Sequence, residues 1–155
     1  MVLGPLLSRA HELVGSGQGY LGRLLGGKVC KRGYQHLWNI VDVRDVAESQ
    51  ALMLESTLCK NGDRYQLSAT DSHGELSVLQ IKAHLEALYP GYQIGGPPEE
   101  IYAIIEKHGQ VFQSPLAHCD KARTELGLQT HPIQDTLRDT AESLMTLGLV
   151  QAKKH

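Results

Sequence analysis

The sequence is short of everything that would place it in a membrane, in a secretory pathway or on a metal ion. No apolar run approaches the roughly 18 residues that a bilayer-spanning helix needs, and the first residues lack the basic stretch and apolar core of a signal peptide. Cysteine is scarce: Cys30, Cys59 and Cys119 are odd in number and form no Cys-x-x-Cys pair. Such a set argues against a disulfide framework and a zinc site, and points to a reducing, cytoplasmic setting. An excess of one charge sign is also missing, since 15 Lys and Arg stand against 17 Asp and Glu for a formal net charge of −2. That balance argues against a nucleic-acid footprint and against a basic membrane-binding surface. The basic cluster Lys153-Lys154, next to His155, reads as a solvated end.

Catalytic signatures are equally sparse. The eight histidines are scattered, with no H-x-x-x-H or H-E-x-x-H spacing. In the densest group of ligand types, His118-Cys119-Asp120, adjacent side chains at a helix start do not converge on one ion. No metal site is expected. There is no Gly-x-Ser-x-Gly elbow, and no cysteine has an evident basic partner. Gly17-Gln18-Gly19-Tyr20-Leu21-Gly22 matches the dinucleotide fingerprint G-x-G-x-x-G. A true fingerprint follows a strand and opens a helix onto the pyrophosphate. Here Ser8 to Val14 read as helix or loop, so the stretch is expected to be a flexible Gly-rich connection.

What is present is an alternation of short strands and helices. With 155 residues and 41% hydrophobic content, the chain has enough material for one ordinary domain with a core. Met1-Val2-Leu3-Gly4-Pro5 looks like the end of a buried strand running into a turn, and residues 6 to 27 suggest a loop plus a short helix. Ile40 to Val43 is a strand candidate that leads into a helix over about 45–55, with Asp45 as cap and Glu48 closing the capping box. Val43, Val46, Ala47, Ala51 and Leu54 fall on one face of that helix. Arg64 to Ala69 alternates polar and apolar residues as a half-buried strand does. Ser72 and Glu75 have capping-box spacing before a helix that carries Val78, Ile81, Leu85 and Leu88 inward and stops at Tyr89-Pro90-Gly91. Further helices are expected over 99–108, over 120–126 with Asp120 as cap and Gly127 beyond the end, and from Pro132 to Gly148. The class is α/β.

One stretch combines this architecture with chemistry. Val41-Asp42-Val43-Arg44-Asp45 puts charged residues where a strand ends and a helix begins, the place at which open α/β sheets bind their ligands. Asp42 interrupts an otherwise apolar strand. Trp38, the single tryptophan, precedes it by four residues and reads equally as pocket wall or as core.

The order of these segments resembles the C-terminal half of the extended short-chain dehydrogenases/reductases, within the NAD-dependent epimerase/dehydratase superfamily. The likeness is strongest to the branch with dihydroflavonol reductases, cinnamoyl-CoA reductases and related aldehyde reductases. Met1 to Pro5 resembles the strand that leaves the active site, and Leu24 to Gly27 the helix end that follows. Asn39 to Ala47 is similar to the family's valine-aspartate motif entering a helix, and Asp63 to Ser68 to its next strand. Leu88 to Ile94 resembles a helix-to-loop exit. Lys121-Ala122-Arg123, Leu126-Gly127 and Thr136 to Thr140 resemble the closing helices.

The resemblance implies that residues 1–155 form the substrate-side portion of an extended Rossmann-type reductase, an incomplete sheet with several helices, with the nucleotide-binding half absent. It implies a parent enzyme that uses NADP or NAD to reduce a ketone or aldehyde, a small-molecule carbonyl substrate. In that family a Tyr-x-x-x-Lys pair donates the proton. None of Tyr20, Tyr34, Tyr65, Tyr89, Tyr92 and Tyr102 has lysine four residues on, so no catalytic residue is expected here and the chain by itself is expected to be inactive. By position, Pro5 and Ser16 would border the nicotinamide end of the cofactor. Trp38, Asn39 and Asp42 would line the substrate side, with Ile94 to Pro98 as a partial lid. Two other readings stay open: a non-catalytic binding module that retains half of the fold, and a fragment of a sugar-nucleotide epimerase or hydroxysteroid dehydrogenase.

Overall fold

The computed structural model describes residues 1–10, 17–30, 37–69, 75–108, 117–151 and 153–154. In chain order these form β1 (Val2–Leu3), α1 (Gly17–Leu25), β2 (Trp38–Asn39), β3 (Val41–Asp42), α2 (Val43–Glu55), β4 (Glu75–Leu76), α3 (Val78–Leu88), α4 (Glu99–His108), α5 (Asp120–Leu126) and α6 (Ile133–Thr146). The class is α/β, as expected, with the sheet reduced to two small pieces. β1 pairs with β3 in parallel, Val2 opposite Val41 and Leu3 opposite Asp42. β2 pairs with β4 antiparallel, Trp38 opposite Leu76 and Asn39 opposite Glu75. Fully buried Ile40 is the single residue between β2 and β3, so the chain changes sheets there.

Two cores hold these pieces. The larger joins Leu21, Leu24 and Leu25 of α1, Val78, Ile81 and Leu85 of α3, and Leu137, Ala141 and Leu144 of α6 around Leu3, Ile40 and Leu76. Each helix contributes residues three and four apart, the spacing that makes one helical face. The smaller gathers Cys119, Ala122, Leu126 and Leu128 under Leu52, Met53, Tyr65 and Leu67. It fastens α5 to the second half of α2.

Several boundaries shift by a turn. The helix expected from Asp45 begins at Val43, and Asp42 is its N-cap, its carboxylate accepting the Arg44 N–H at 2.9 Å. Asp45 instead lies on the buried side of the first turn. It accepts the His131 N–H at 3.1–3.2 Å through its two oxygens and meets His131 Nδ1 at 2.5 Å. The box at Ser72 and Glu75 is replaced by one at Ser77 and Gln80, in which each side chain bonds the other's backbone N–H. Glu75 belongs to β4, and Ser72 lies outside the described residues. Both pairs have the right spacing, but Ser77 directly precedes the apolar run that α3 buries. Asp120 is the first residue of α5 rather than its cap, a place taken by Cys119 without a side-chain bond. Gly127 follows in the left-handed conformation, φ 69°.

Residues 64 to 67 keep the expected alternation, with Arg64 and Gln66 exposed and Tyr65 and Leu67 half-buried, but Ser68 and Ala69 are both buried and the segment forms no regular strand. Their backbone tie to β2 and β3 runs from the Ala69 N–H to the Ile40 carbonyl at 2.7 Å. The segment from Ile94 to Pro97 is buried rather than poised as a lid. Its backbone is bonded on both sides, Gly95 N–H to Leu24 O and Cys30 N–H to Gly96 O, each at 2.7 Å.

The largest departure concerns α2. Of the apolar face Val43, Val46, Ala47, Ala51 and Leu54, Val46 is half-buried and the others are exposed, Leu54 being 90% accessible. The side turned to the protein carries Asp45 and Ser49, both buried, and half-buried Leu52. Stability should follow the observed orientation. Asp45→Ala is expected to remove about 2 kcal/mol, because it strands a partly buried N–H, and to lower Tm by about 4–8 °C. Leu54→Ala in the isolated chain should stay within about 0.5 kcal/mol of wild type. Thermal melts of both variants followed by circular dichroism check the pair.

Candidate functional site

The three residues expected on the substrate side come from one continuous stretch, yet the fold separates them. Successive strand residues point to opposite faces. Trp38 and Leu76 therefore share one face of the β2–β4 pair, and Asn39 and Glu75 the other. Trp38 packs on the larger core, its ring 5.0 Å from that of Tyr20 at an interplanar angle of 36°. Asn39 faces a polar group of its own. Its Oδ1 accepts the Ser68 hydroxyl at 2.6 Å, which leaves its two Nδ2 donors available, and Glu75 stands directly across with a buried Oε1 that has no partner. Backbone on this side is tied down as well, since the amino group of Met1 donates to the Asn39 carbonyl.

Asp42 is placed differently again. It has no accessible surface. The Arg44 guanidinium donates to both carboxylate oxygens, Nε to Oδ1 at 2.9 Å and Nη2 to Oδ2 at 2.8 Å. Nη1 of Arg44 reaches Asp139 of α6 at 2.8 Å. Burial alone would push the Asp42 carboxyl up, but the hydrogen bonds from the Arg44 side chain and backbone outweigh it and hold the group below the usual carboxylate range. The same bonds raise the Arg44 guanidinium further above its already high value. Both carboxylate oxygens of Asp42 are thus taken up by Arg44, and neither is exposed.

Pro5 follows Gly4, whose φ of 123° only glycine adopts without strain, and a Cβ on Gly4 would stand 2.9 Å from Asp42 Oδ1. The Gly4 N–H donates to Thr140 Oγ1 at 2.7 Å, which fixes the start of the Pro5 turn against α6. Ser16 lies outside the described residues. Gly17, Gly19 and Gly22 are all within α1 rather than in a loop after a strand. A Cβ on Gly17 would strike Met1, and one on Gly22 would come within 2.8 Å of Val150. The stretch expected as a flexible connection is thus part of α1, and with no described strand leading into it the fingerprint match does not form a pyrophosphate cradle.

Three neighbours went unread in the sequence. The alternation over 64–69 gives Ser68 no site role, the spacing from Ser72 gives Glu75 a capping role, and Tyr20 has no lysine four residues on. Its hydroxyl is buried without an ordinary hydrogen-bond partner, beside the Cys30 thiol, a weak acceptor. Burial, then the neighbouring Cys30, raises the Tyr20 phenol well above its usual value. Burial likewise raises the Cys30 thiol, which makes it a poor nucleophile. A cavity of about 460 Å³ opens between Gly19, Gly22 and Arg23 of α1, Gly26 and Lys28 just past it, and the segment 149–151, so two of the fingerprint glycines line it. None of the expected site residues lines it. Among the described residues, no three His, Cys, Asp or Glu side chains gather into a metal-binding group. No described helix is long and apolar enough to cross a membrane.

The Asp42 geometry sets a pH dependence. A carboxyl held low in the folded state contributes stability that is complete above its unfolded pKa and is lost as the pH falls through the folded value. Wild type should therefore be insensitive to pH near neutrality and lose this contribution only below about pH 4. Arg44→Gln leaves the desolvation of Asp42 unopposed. It is expected to cost about 3 kcal/mol and to move the acid-unfolding midpoint to higher pH, read by fluorescence of Trp38. An unchanged midpoint would show that Arg44 does not hold the carboxylate.

No protein-family model matches the chain, and no curated protein matches it. Solved structures do. The crystal structure of gox2253 is similar over 97% of this chain and 48% of its own, with a TM-score of 0.66 at 18% identity. Gre2 from Candida albicans, solved with NADPH, is similar over 95% of this chain and 42% of its own, with a TM-score of 0.65 at 18% identity. UDP-glucose 4-epimerase from Thermotoga maritima, solved with UDP-glucose, is similar over 94% and 43%, with a TM-score of 0.61 at 20% identity. The chain spans less than half the length of each of these proteins, and what it shares with them is the α/β fold of that part.

Proposed function

We propose that this chain is the substrate-side, C-terminal half of an NAD(P)H-dependent oxidoreductase that reduces a ketone or aldehyde to an alcohol. The observation that carries the reading is the structural likeness over 95% of the chain to an enzyme solved with NADPH, of which the chain matches only 42%. The order of sequence motifs supports the same assignment. The Arg64-Tyr65 stretch and the Leu88-Tyr89-Pro90 exit favour the dihydroflavonol, cinnamoyl-CoA and aldehyde reductase branch.

In this reading the chain recognises and the remaining half reacts. Asn39 Nδ2 supplies a directional hydrogen bond to a small carbonyl substrate, its amide oriented by the Ser68 hydroxyl. Trp38, packed with Tyr20 on the opposite face, holds β2 on the core, and Asp42 fixes β3 next to it. Pro5 and Ser16 border the nicotinamide end of the cofactor, NADP or NAD. The proton donor and the nucleotide loop belong to the half that this chain does not supply. A cytoplasmic location accompanies the assignment.

A second reading, part of a sugar-nucleotide epimerase, is favoured by the likeness to the enzyme solved with UDP-glucose. The pure chain is expected neither to oxidise NADPH in the presence of aldehydes or ketones nor to bind it with a Kd below about 1 mM. Carbonyl-dependent NADPH oxidation by the chain alone would falsify the division of labour. In a full-length enzyme carrying these residues, Asn39→Leu should raise KM for the carbonyl substrate about tenfold, the effect of one hydrogen bond, with kcat changing less. Turnover of UDP-glucose, with no carbonyl reduction by the same enzyme, would transfer the assignment to the epimerases.

A further inference from the structure

The cavity beside α1 is walled by charge of one sign. Arg23 and Lys28 both line it, and no acidic side chain does. Both side chains are exposed, and among the described residues neither forms an ion pair with a carboxylate. The Arg23 charge acts on Tyr20 and Cys30, two groups that burial keeps neutral and that leave it uncompensated. Unpaired cations at a concave surface concentrate a positive potential there. The C-terminal end of a helix opposes this with about half a negative charge. In α1 the carbonyls concerned are already used: Gly22 O accepts from Gly26, Arg23 O from Lys28, Leu24 O from Gly27 and Gly95, and Leu25 O from Lys153. Two full positive charges outweigh what remains.

Shape and surface say what kind of anion fits. A volume of about 460 Å³ falls within the range of roughly 300–1,000 Å³ typical of small-molecule sites, more room than a lone oxyanion fills. Gly19, Gly22 and Gly26 follow one another at helical spacing, so one wall is bare backbone. The Gly26 N–H is spent on Gly22 O, and this glycine wall supplies room rather than the donors of a dinucleotide loop. Half-buried Leu149 and Val150 stand opposite with apolar surface, and Gln151 adds an amide. Their position is set in advance. The Leu149 and Val150 N–H groups reach Leu144 O at 3.0 and 3.3 Å, and Lys153 O accepts the Gln93 N–H at 2.7 Å. A preformed wall loses little freedom when a ligand enters.

We propose that this cavity binds a phosphate monoester carried on a small apolar body, the phosphate held by Arg23 and Lys28 and the body lying on Leu149 and Val150. A phosphate monoester carries close to two negative charges at neutral pH and matches the two cations, whereas a carboxylate leaves one of them unmatched. The planar guanidinium takes two phosphate oxygens at once, and the ammonium acts as a point charge. The inference goes beyond the proposed function and stands without it, since none of Pro5, Trp38, Asn39 and Asp42 lines the cavity.

The test titrates the 155-residue chain with phenyl phosphate, followed by calorimetry and by the amide NMR signals of Gly19, Gly22, Gly26 and Gln151. A Kd below about 1 mM is expected. Inorganic phosphate, without the apolar body, and phenylacetate, with a single charge, should each bind about tenfold more weakly, and benzyl alcohol should leave the signals unmoved. Arg23→Gln and Lys28→Gln should each weaken phenyl phosphate about tenfold, the effect of one hydrogen bond to a charged group. Gln151→Glu should weaken it as well by setting a carboxylate in the wall. All three side chains are exposed, so the thermal melts should match wild type. Unmoved signals up to about 10 mM phenyl phosphate overturn the proposal, as does wild-type affinity in the three variants. Equal affinity for inorganic phosphate removes the apolar body and leaves a bare anion site. Benzyl alcohol binding as tightly as phenyl phosphate removes the role of charge. Either result overturns the assignment to a phosphate monoester.

Discussion

The buried carboxylate of Asp42 is the point on which the rest of the arrangement depends. A charge with no accessible surface is tolerated only when donors surround it, and here each donor belongs to a different constraint. The Arg44 N–H makes the carboxylate a helix cap, and so joins β3 to α2 without a loop. The Arg44 guanidinium neutralises it and reaches on to Asp139, which brings α6 alongside. The Thr136 hydroxyl of α6 stands beside the group without closing a well-formed hydrogen bond. Gly4 passes so near that no side chain fits, which seats β1 on β3. One side chain therefore sets the parallel pair, the direction of α2 and the approach of α6.

That dependence explains which parts of the fold were legible in the sequence. The spacing of Leu137, Ala141 and Leu144 and the run Val78, Ile81, Leu85 reported α6 and α3 because those helices bury one regular face in a core that this chain completes. Periodicity also found α2, and the apolar face it marks is mostly exposed. The stripe from Val43 to Leu54 is opposite a side held by Asp45 and His131, which hydrogen bonds rather than apolar burial keep inward. Cap positions moved by a turn for a related reason. Ser, Asp, Glu and Gln recur often enough that two boxes compete, and burial of Val78 chooses Ser77 over Ser72. Strands of two residues carry no periodicity at all, and Ile40 alone marks the change of sheet.

The candidate site was legible in outline only. Asp42 attracted notice because a carboxylate interrupts an apolar strand, and that signal reported burial, which ligand contact and structural anchoring share. Trp38 and Asn39 are neighbours in sequence and for that reason face apart in a pleated strand. The polar group around Asn39 is assembled from Ser68 and Glu75, which are 29 and 36 positions away in the chain. No local pattern predicts that meeting. The unpartnered Glu75 Oε1 and Tyr20 hydroxyl are visible only when burial is known.

Placement also limits the chemistry this chain can contribute. The polar group at Asn39 holds an amide and a hydroxyl, suited to orienting a ligand, and the Glu75 carboxylate across from them. The two side chains nearest to a reactive role, Tyr20 and Cys30, are both pushed toward their neutral forms by burial, the wrong direction for a tyrosinate-assisted donor or a thiolate nucleophile. Tyr20 lies near Arg23 but has Leu24 rather than lysine four residues on, and burial still holds its phenol in the neutral form.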